Sequence, residues 1–341
     1  MNAHEPVTVS YATKDRTLAL LIQAGNAYVS GEAMSVWLGV SRTAVNAAVR
    51  SLRGDGYVID SVTNRGYRLL DTPDGLTAGE LLAELGESRM ERVVCLSEID
   101  STTKHLMEIA EKNAPDGQVV LADKQTAGRG RVGKSFASPG GQGIYLSYLI
   151  RPQTSLGESA FVSDWLTVTG RTAVAVLEAI EEVCGITPQI KWVNDLFLNG
   201  RKICGILTQT DLEVESGAVR ALIIGIGVNV HERTDDFPEE LRTIATSIDQ
   251  ETGKRNSRPA LAAAIIRRLD ALRSELPGNA DYYLAKYREH CMVLGKTIIL
   301  RGTPDEEQAL ALRINDNFEL VVRMPDGEEK ALTGGEILRI L

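Results

Sequence analysis

The sequence predicts a multidomain α+β protein, with a small helical head that ends in a β-hairpin and a larger body built on apolar strands. Three observations support this. The 341-residue chain is too long for one ordinary domain. Its first seventy residues contain short apolar-faced helices with capping residues, and later segments have strand patterns separated by glycine-rich turns. Hydrophobic content of 43% with 24% charged residues is typical of a globular protein with a sizeable core.

Composition limits the cellular location and the metal chemistry. No apolar run approaches the roughly 18 residues that span a bilayer, and residues 1–10 lack the basic start and apolar stretch of a signal peptide. We therefore expect a cytoplasmic protein with no membrane partner. The four cysteines form no CxxC pair and only four histidines are present. We expect structural thiols rather than a disulfide, a zinc site or a histidine-based triad.

Charge is distributed unevenly along the chain. Residues 1–70 hold seven basic and five acidic side chains, a balance of +2, whereas the whole chain carries −9 and the remainder therefore −11. The negative total argues against indiscriminate binding of nucleic acid. The head and the body are predicted to face different partners.

The head has the pattern of a helix-turn-helix. A first apolar-faced helix is predicted over residues 17–25. Ser30 can cap a second helix that Gly39 stops, and Ser41 can cap a third helix that runs to about Arg53. Two short helices joined by a tight turn, the second exposing polar side chains near its start, are typical of this motif.

The third helix supplies candidate DNA contacts. Its apolar residues share one face, so Arg42, Thr43 and Asn46 lie towards the opposite face, where they can hydrogen-bond base edges. Arg50 and Arg53 can meet phosphates. Because one such unit reads only a few base pairs, a DNA-binding role implies a homodimer on an inverted repeat. The alternative is a head that packs or dimerises without touching DNA.

A hairpin wing and a connection follow. Strands are predicted over 57–61 and 66–70, with Arg65 at the tip of the hairpin, where it can meet a phosphate. Residues 71–75 interrupt the pattern and are the first credible connection between domains. Thr77 can cap the helix that opens the second domain.

Residues 125–136, QTAGRGRVGKSF, form a segment that we call the glycine–arginine loop, after a buried strand at 118–122. Its glycines match both the P-loop spacing and the dinucleotide-binding fingerprint. Each of those motifs requires the loop to open a helix whose N-terminus faces phosphate. Residues 136–143 include Pro139 and three glycines and lead into a strand over 144–150, so both motifs are rejected.

The glycine–arginine loop is instead predicted to wrap a negatively charged substrate. It carries the cations Arg129, Arg131 and Lys134. Guanidinium groups bind carboxylate or phosphate oxygens in bidentate fashion, and glycines let the backbone approach closely. A solvated basic turn is the alternative.

Two further segments carry turn and capping signals. The Ser101–Thr103 triplet follows an apolar strand and can cap a helix beginning near Lys104, or hydrogen-bond a polar ligand. Residues 189–200 are predicted to be a strand that turns at Asn199–Gly200 into a return strand over 202–209.

The same hairpin and the strand after it contain candidate binding residues. Lys191, Asn194 and Asp195 stand in an otherwise apolar hairpin, which predicts a binding role unless they pair with one another. The apolar strand over 221–230 has Asn229 at its rim, where ligand-binding groups gather.

In this order, the segments resemble the biotin protein ligase family. The resemblance covers the serine–threonine triplet, GRGRxG, KWxND, the lysine–glycine–isoleucine return strand and GxGxN, and continues through residues 237–240 and 245–247. The last fifty residues are similar to the family's small SH3-like β-barrel. With its winged head, the chain resembles the bifunctional bacterial form, which is both a ligase and the repressor of biotin genes.

The resemblance implies a fold, three domains and a reaction. The fold is α+β, with a winged helix-turn-helix over 1–72, a class II synthetase-like domain of mixed β-sheet and helices over 76–292, and an SH3-like domain over 293–341. Family members use ATP and Mg²⁺ to activate biotin as biotinyl-5′-AMP, with release of pyrophosphate. They then transfer biotin to one lysine of a biotin carboxyl carrier protein. Biotin is a substrate, and no tightly bound metal is expected.

The resemblance also implies site residues. Those that would contact biotin are Ser101, Thr102, Thr103, Gln125, Arg129, Gly130, Arg131, Lys191 and Gly205. Those that would contact ATP are Phe136, Asn194 and Asn229, the last also near Mg²⁺. Phe136 replaces a tryptophan found in bacterial relatives, which puts the strength of adenine stacking in doubt. Arg129, Arg131 and Lys191 would carry catalysis by stabilising negative charge, so no nucleophilic side chain is needed.

Three other functions remain open. The chain could be a ligase whose head no longer binds DNA, a biotin-sensing regulator without activity, or a lipoate or octanoate ligase of similar fold. Lys191 and both arginines argue against the inactive regulator. The GRGRxG loop and the C-terminal segment argue against the lipoate or octanoate ligase.

Overall fold

The structure, a computed structural model, describes residues 12–151, 165–212, 219–276, 278–301 and 306–341. The start of the predicted head (1–11) and residues 302–305 of the predicted C-terminal domain lie outside the described residues. Among the described residues, the α-helices are α1 Thr13–Gln23, α2 Gly31–Leu38, α3 Arg42–Gly54, α4 Ala78–Leu85, α5 Glu87–Met90, α6 Thr102–Glu111, α7 Trp165–Cys184, α8 Ile248–Thr252, α9 Arg258–Glu275 and α10 Ala280–His290.

The described strands fall in three sheets, one for the head, one for the centre and one for the C-terminal part. They are β1 Val58–Val62, β2 Gly66–Asp71, β3 Val93–Ile99, β4 Val119–Gln125, β5 Gly143–Ile150, β6 Gln189–Lys191, β7 Asp195–Leu198, β8 Arg201–Leu212, β9 Val219–Asn229, β10 Thr297–Leu300, β11 Glu307–Ile314, β12 Leu320–Arg323, β13 Glu329–Leu332 and β14 Ile337–Ile340.

The head forms the predicted helix-turn-helix. Ser30 caps α2 by accepting a hydrogen bond from Ala33 N at 3.0 Å. Gly39 ends that helix in the left-handed region, with φ of 68°. Ser41 caps α3 by accepting from Ala44 N at 3.1 Å. These caps satisfy the first free N–H groups of each helix, which is why the chain turns sharply between the two helices.

The wing is the antiparallel pair β1–β2, closed by a turn at residues 63–65. Arg65 and Arg68 lie over the ring of Tyr28, with guanidinium carbons 4.3 Å and 4.6 Å from its centroid. Arg53 is not free to meet a phosphate as we expected. Its guanidinium donates to the carbonyl of Ile59 at 2.6 Å and so ties α3 to the wing.

The head packs directly on the body through α1 and α4. Ala19 of α1 belongs to the main hydrophobic core, together with Leu81 and Leu82 of α4. The two helices approach so closely at Gly79 that a Cβ there would lie 2.9 Å from the side chain of Leu18. This contact gives the head a defined position against the body.

The connection between head and body is anchored rather than solvated. Asp74 is 7% exposed and accepts a hydrogen bond from Arg258 N at 3.1 Å. It also pairs with His231 Nε2 at 2.5 Å, and His231 Nδ1 lies 2.7 Å from Asp249. A buried carboxylate held by these partners keeps the connection against the end of the central sheet.

The central sheet has seven strands in the order β3-β4-β5-β9-β8-β7-β6, with β3 and β4 parallel and the other neighbours antiparallel. Alternate residues of its strands face opposite sides. Val119 and Leu121 belong to the core that includes α7 and α9, whereas Val120 packs with Leu106 of α6. After the glycine–arginine loop the chain enters β5, not a helix, which confirms that neither nucleotide-binding motif is present.

The hairpin at Asn199–Gly200 forms as predicted, with φ of 48° and 77° at its two residues. The preceding segment differs from the single strand that we expected. It breaks at residues 192–194, and β6 folds back antiparallel on β7. The indole of Trp192 in this break donates to the carbonyl of Phe318 at 3.0 Å, which joins the turn to the C-terminal sheet.

The C-terminal residues form a five-stranded antiparallel sheet in the order β13-β12-β11-β10-β14. Its core packs continuously with the central core through Phe318, which fills the space left by Gly170 of α7. No helix among the described residues is long and apolar enough to cross a bilayer.

Candidate active site

A cavity of about 870 Å³ lies between the glycine–arginine loop, one face of the central sheet and the edge of the C-terminal sheet. It occupies the sheet face that α6 also covers, beyond the N-terminus of that helix. The predicted site residues that line it are Thr102, Thr103, Gln125, Arg129, Gly130, Arg131, Phe136, Lys191, Asn194, Gly205 and Asn229. The fold therefore brings eleven residues from separate segments around one space.

Glycines make the floor of this cavity. Gly225 and Gly227 alternate along β9 and so face the same side, and Gly205 of β8 lies opposite Gly227. A Cβ at Gly227 would meet the ring of Phe136 at 2.5 Å, and one at Gly225 would meet Thr103 Oγ1 at 2.6 Å. The missing side chains create the space that Phe136, Thr103 and any ligand share.

The glycine–arginine loop is a narrow hairpin rather than an open turn. Phe136 N donates to Gly128 O at 2.9 Å, and Gly130 N donates to Lys134 O at 2.7 Å. A Cβ at Gly128 would lie 2.5 Å from the carbonyl oxygen of Phe136, so this position has no room for a side chain. Gly133 turns the chain with φ of 73°.

The two arginines of the loop have different surroundings. Arg131 donates from Nη1 to Asn194 Oδ1 at 3.0 Å, and Asn194 donates from Nδ2 to the carbonyl of Ile206 at 2.7 Å. Arg129 is exposed and makes no side-chain hydrogen bond or ion pair within the described ranges. One guanidinium is thus held in place, and the other is available to an anionic ligand.

Lys191 is a half-buried cation at the opposite wall. Asp195 pairs with Lys202 at 2.7 Å, so the polar residues of the hairpin do not simply neutralise one another. Burial lowers the pKa of the Lys191 ammonium, and the nearby Asp195 carboxylate opposes this shift. The Lys191 ammonium lies 5.5 Å from the centroid of the Phe197 ring, and it makes no ion pair or side-chain hydrogen bond with the part of the chain that the structure describes. A desolvated, unpaired cation favours an anionic ligand.

The threonine end of the cavity is uncharged. Gln125 Oε1 accepts from both the backbone N–H and the hydroxyl of Thr102, at 2.9 Å and 3.1 Å. Ser101 does not line the cavity. It is 1% exposed and accepts from Lys104 N at 3.4 Å, so it acts as the cap of α6, the alternative that the sequence left open.

Asn229 lies at the end of β9, at the rim of the central sheet, near the other residues predicted to contact ATP. Its side chain is 5% exposed and donates from Nδ2 to the carbonyl of Thr246 at 3.0 Å, which leaves Oδ1 as an oxygen donor. Within the described residues, no cluster of three or more His, Cys, Asp or Glu side chains is arranged to hold a metal ion. If Mg²⁺ binds here, the described residues would offer it one amide oxygen, and phosphate and water would have to supply its other ligands.

Several lining residues escaped the sequence analysis. Lys202 sits in the return strand of the family pattern but had no role assigned to it, and Ile244, 55% exposed, adds an apolar wall. Gly225 could have been found from the alternation of glycines along a buried strand. Ser147, which lies beneath the lining and contacts Thr102 and Thr103, could not have been found, because a lone serine in an apolar strand carries no signal of what it contacts.

On the head, the predicted DNA-contacting residues of α3 form one exposed surface. Arg42, Thr43, Asn46 and Arg50 are all exposed, on the helix face opposite the buried Val45. None makes a side-chain hydrogen bond or ion pair within the part of the chain that the structure describes. With Arg65 on the wing, this leaves a cationic surface open to solvent.

The chain is similar to known proteins in both its head and its body. Residues 96–229 match the biotin/lipoate A/B protein ligase family, and residues 14–68 match a helix-turn-helix domain family. The bifunctional ligase/repressor BirA of Bacillus spizizenii is 41% identical over 92% of this chain and 94% of that protein. The BirA of Escherichia coli is 30% identical over 95% of this chain and 98% of that protein.

A solved structure gives the same result for the fold. The biotin protein ligase from Aquifex aeolicus in complex with biotin and ATP superposes with a TM-score of 0.60 at 27% identity. The match covers 72% of this chain and 97% of that structure.

Proposed function

The chain belongs to the bifunctional biotin protein ligase and repressor family, and from this premise we propose how its cavity joins biotin to ATP. The chain is a biotin protein ligase with a DNA-binding head. Three cations, Arg129, Arg131 and Lys191, line one cavity whose floor is made of glycines. The roles proposed below for individual residues follow from this arrangement.

The uncharged end of the cavity suits the biotin ring. Thr102, Thr103 and Gln125 offer hydroxyl and amide groups there, and Gly205 and Gly225 leave space for the bicyclic body. The acyl chain would then point towards the cations. Ser101 would support this end indirectly, by holding the N-terminus of α6.

The cationic region suits adenylate formation. When the biotin carboxylate attacks the α-phosphorus of ATP, the C–O–P bond forms and pyrophosphate leaves with the electrons of the broken P–O bond. Negative charge accumulates on the phosphoryl oxygens. Lys191, Arg129 and Arg131, with the backbone of Gly130, would bind those oxygens and the carboxylate, and so lower the barrier without a nucleophilic side chain.

The nucleotide end would involve Phe136, Asn194 and Asn229. Phe136 lies on Gly227, and its ring would be the aromatic surface on which adenine stacks. Asn194 would act mainly by holding Arg131. Mg²⁺ would neutralise phosphate charge when bound with ATP, and Asn229 Oδ1 is the oxygen that the chain would offer it.

Transfer requires an acceptor lysine from a biotin carboxyl carrier protein. The mixed anhydride hydrolyses readily, so the glycine–arginine loop would exclude water until the carrier lysine attacks the acyl carbon and AMP leaves. We propose a cytoplasmic location for this reaction, on the basis of the similarity to the BirA proteins.

We also propose the finer organisation of the chain. Residues 1–72 form the DNA-binding domain, 76–292 the catalytic domain, and 293–341 a C-terminal domain whose five-stranded sheet is an SH3-like barrel. The protein would act on DNA as a homodimer at an inverted repeat near biotin genes. Arg42, Thr43 and Asn46 would meet bases, and Arg50 and Arg65 phosphates.

Two experiments test these assignments. Full-length protein with biotin, MgATP and a carrier domain should release pyrophosphate and attach biotin to the carrier. Folded protein that does neither would contradict the ligase mechanism.

A gel-shift on the promoter of the biotin genes, with and without biotinyl-5′-AMP, tests whether the head binds DNA. Absence of a shift in both conditions would support the alternative of a ligase whose head no longer binds DNA.

A further inference from the structure

Ser147 of β5 lies beneath the threonine end of the cavity and has no role in the mechanism above. Its side chain is 0% exposed. Its Oγ lies 2.9 Å from Thr102 Oγ1 and 3.0 Å from Thr103 Oγ1, and either atom of each pair could donate. The direction of these two hydrogen bonds can be worked out from the neighbouring groups.

The direction is set by Gln125. The backbone N–H of Thr102 donates to one atom of the Gln125 carboxamide at 2.9 Å, so that atom must be the oxygen, Oε1. The other end of the amide agrees, because Nε2 donates to Ser138 Oγ at 3.0 Å while the Ser138 hydroxyl donates to Phe136 O. The Thr102 hydroxyl, 3.1 Å from Oε1, must therefore donate its proton to it.

Each hydroxyl has one proton, so the remaining bonds follow in order. Since the Thr102 proton is committed to Gln125, Thr102 can only accept from Ser147. Since the Ser147 proton is then committed to Thr102, Ser147 can only accept from Thr103. Both threonines line the cavity, and their hydroxyl oxygens have lone pairs but no free proton to donate to a ligand.

We propose that Ser147 is a specificity-determining positioning residue, which makes this wall of the cavity accept hydrogen bonds and so selects acyl groups that carry N–H donors. This rests on the proposed function of the cavity as a biotin site. The ureido ring of biotin carries two N–H groups, whereas a dithiolane or an unbranched acyl chain carries none. Gly225, opposite Ser147 in register, leaves the space in which Thr103 Oγ1 sits.

The test measures binding of biotin, and of biotin methylated on one or the other ureido nitrogen, to full-length protein by calorimetry. In Ser147→Ala the Thr103 proton is released. We expect biotin to bind about tenfold more weakly, while the preference for biotin over the more sensitive N-methyl analogue falls by a similar factor. KM for biotin should rise with kcat nearly unchanged, since the cations are untouched.

Two further variants separate this role from a loss of packing. Thr103→Val removes the acceptor with little change in shape, and adding Ser147→Ala to it should cause no further loss of discrimination. Ser147→Cys, whose S–H is a weak donor, should fall between wild type and Ser147→Ala. Thr172→Val, which deletes a buried hydroxyl of α7 bonded to Val168 O, should bind biotin as wild type does.

The outcomes are distinguishable. If wild-type protein binds no biotin, the proposed function fails, and this inference with it. If wild-type protein binds biotin but Ser147→Ala keeps both the affinity and the preference over the N-methyl analogues, the inference is overturned while the proposed function stands.

Discussion

Arg131 and Asn194 join the glycine–arginine loop to the turn between β6 and β7 through one hydrogen bond of 3.0 Å. The two residues are 63 positions apart, and each belongs to a different motif of the sequence. Asn194 is itself anchored on the carbonyl of Ile206 in β8. The guanidinium is therefore positioned by the central sheet, although it is carried by a loop.

This link predicts coupling between the two side chains. Arg131→Ala should slow adenylate formation strongly, and Asn194→Ala should slow it less, by releasing Arg131. In the double variant the second change should add little, with a coupling energy of roughly 0.5–3 kcal/mol. The rate of adenylate formation is measured as pyrophosphate release under single-turnover conditions, in wild type, the two single variants and the double variant. Fully additive effects would show that Asn194 does not act through Arg131.

Lys191 is expected to stabilise the transition state rather than to bind biotin alone. Lys191→Met should lower kcat for pyrophosphate release by about a hundredfold or more, the range found when one donor to a developing charge is removed. KM for biotin should change less. Lys286→Met, a surface lysine of α10 that pairs with Glu289, is the matched control. An unchanged kcat in Lys191→Met would remove this residue from the catalytic role.

Gly227 is expected to tolerate no side chain because Phe136 occupies that space. A Cβ at Gly227 would meet the Phe136 ring at 2.5 Å. Gly227→Ala should displace the ring and raise KM for ATP about tenfold, the size of effect expected when an aromatic contact of roughly 0.5–1.5 kcal/mol is lost. Gly54→Ala, at a position where a Cβ meets no atom within 4 Å, is the control. Wild-type kinetics in Gly227→Ala would place adenine elsewhere.

The buried carboxyl group of Glu80, at the junction of head and body, is expected to make the stability of the protein depend on pH. Burial raises its pKa from 4.5 to about 7. Between these values the folded protein keeps a proton that the unfolded chain releases, so stability falls as the pH rises through this window. Glu80→Gln should therefore match the wild-type Tm near pH 5 and exceed it by a few degrees at pH 8.

Thermal unfolding from pH 5 to pH 8 checks the role of Glu80. Glu84→Gln, at an exposed position of the same helix, should follow the wild-type profile. If Glu80→Gln loses stability with pH in parallel with wild type, the carboxyl group is not the source of the dependence.

In the head, Arg50 is expected to strengthen DNA binding to the same extent for every base sequence, because it would contact phosphate. Arg50→Ala should weaken binding to operator and random DNA alike, and it should reduce the slope of log affinity against log salt by about one. Fluorescence anisotropy across a salt series measures this, with Lys286→Ala as the control. A loss confined to operator DNA would instead assign Arg50 to base recognition.

The sequence by itself determined much of the local structure and predicted many of the residues that line the cavity. The caps at Ser30, Ser41 and Thr77 predicted helix starts because a side-chain oxygen and a backbone N–H only a few residues apart decide them. The Asn199–Gly200 turn was predictable for the same local reason. The pattern of motifs predicted the family and eleven of the residues that line the cavity.

Only the tertiary structure decided which of these residues act together and which are used elsewhere. Arg53 is committed to the wing and Asp74 anchors the connection, because each meets a partner in another element. Ser147 is hydrogen-bonded to two threonines more than forty positions away. Such contacts depend on strand register and helix packing, and no local pattern of residues records them.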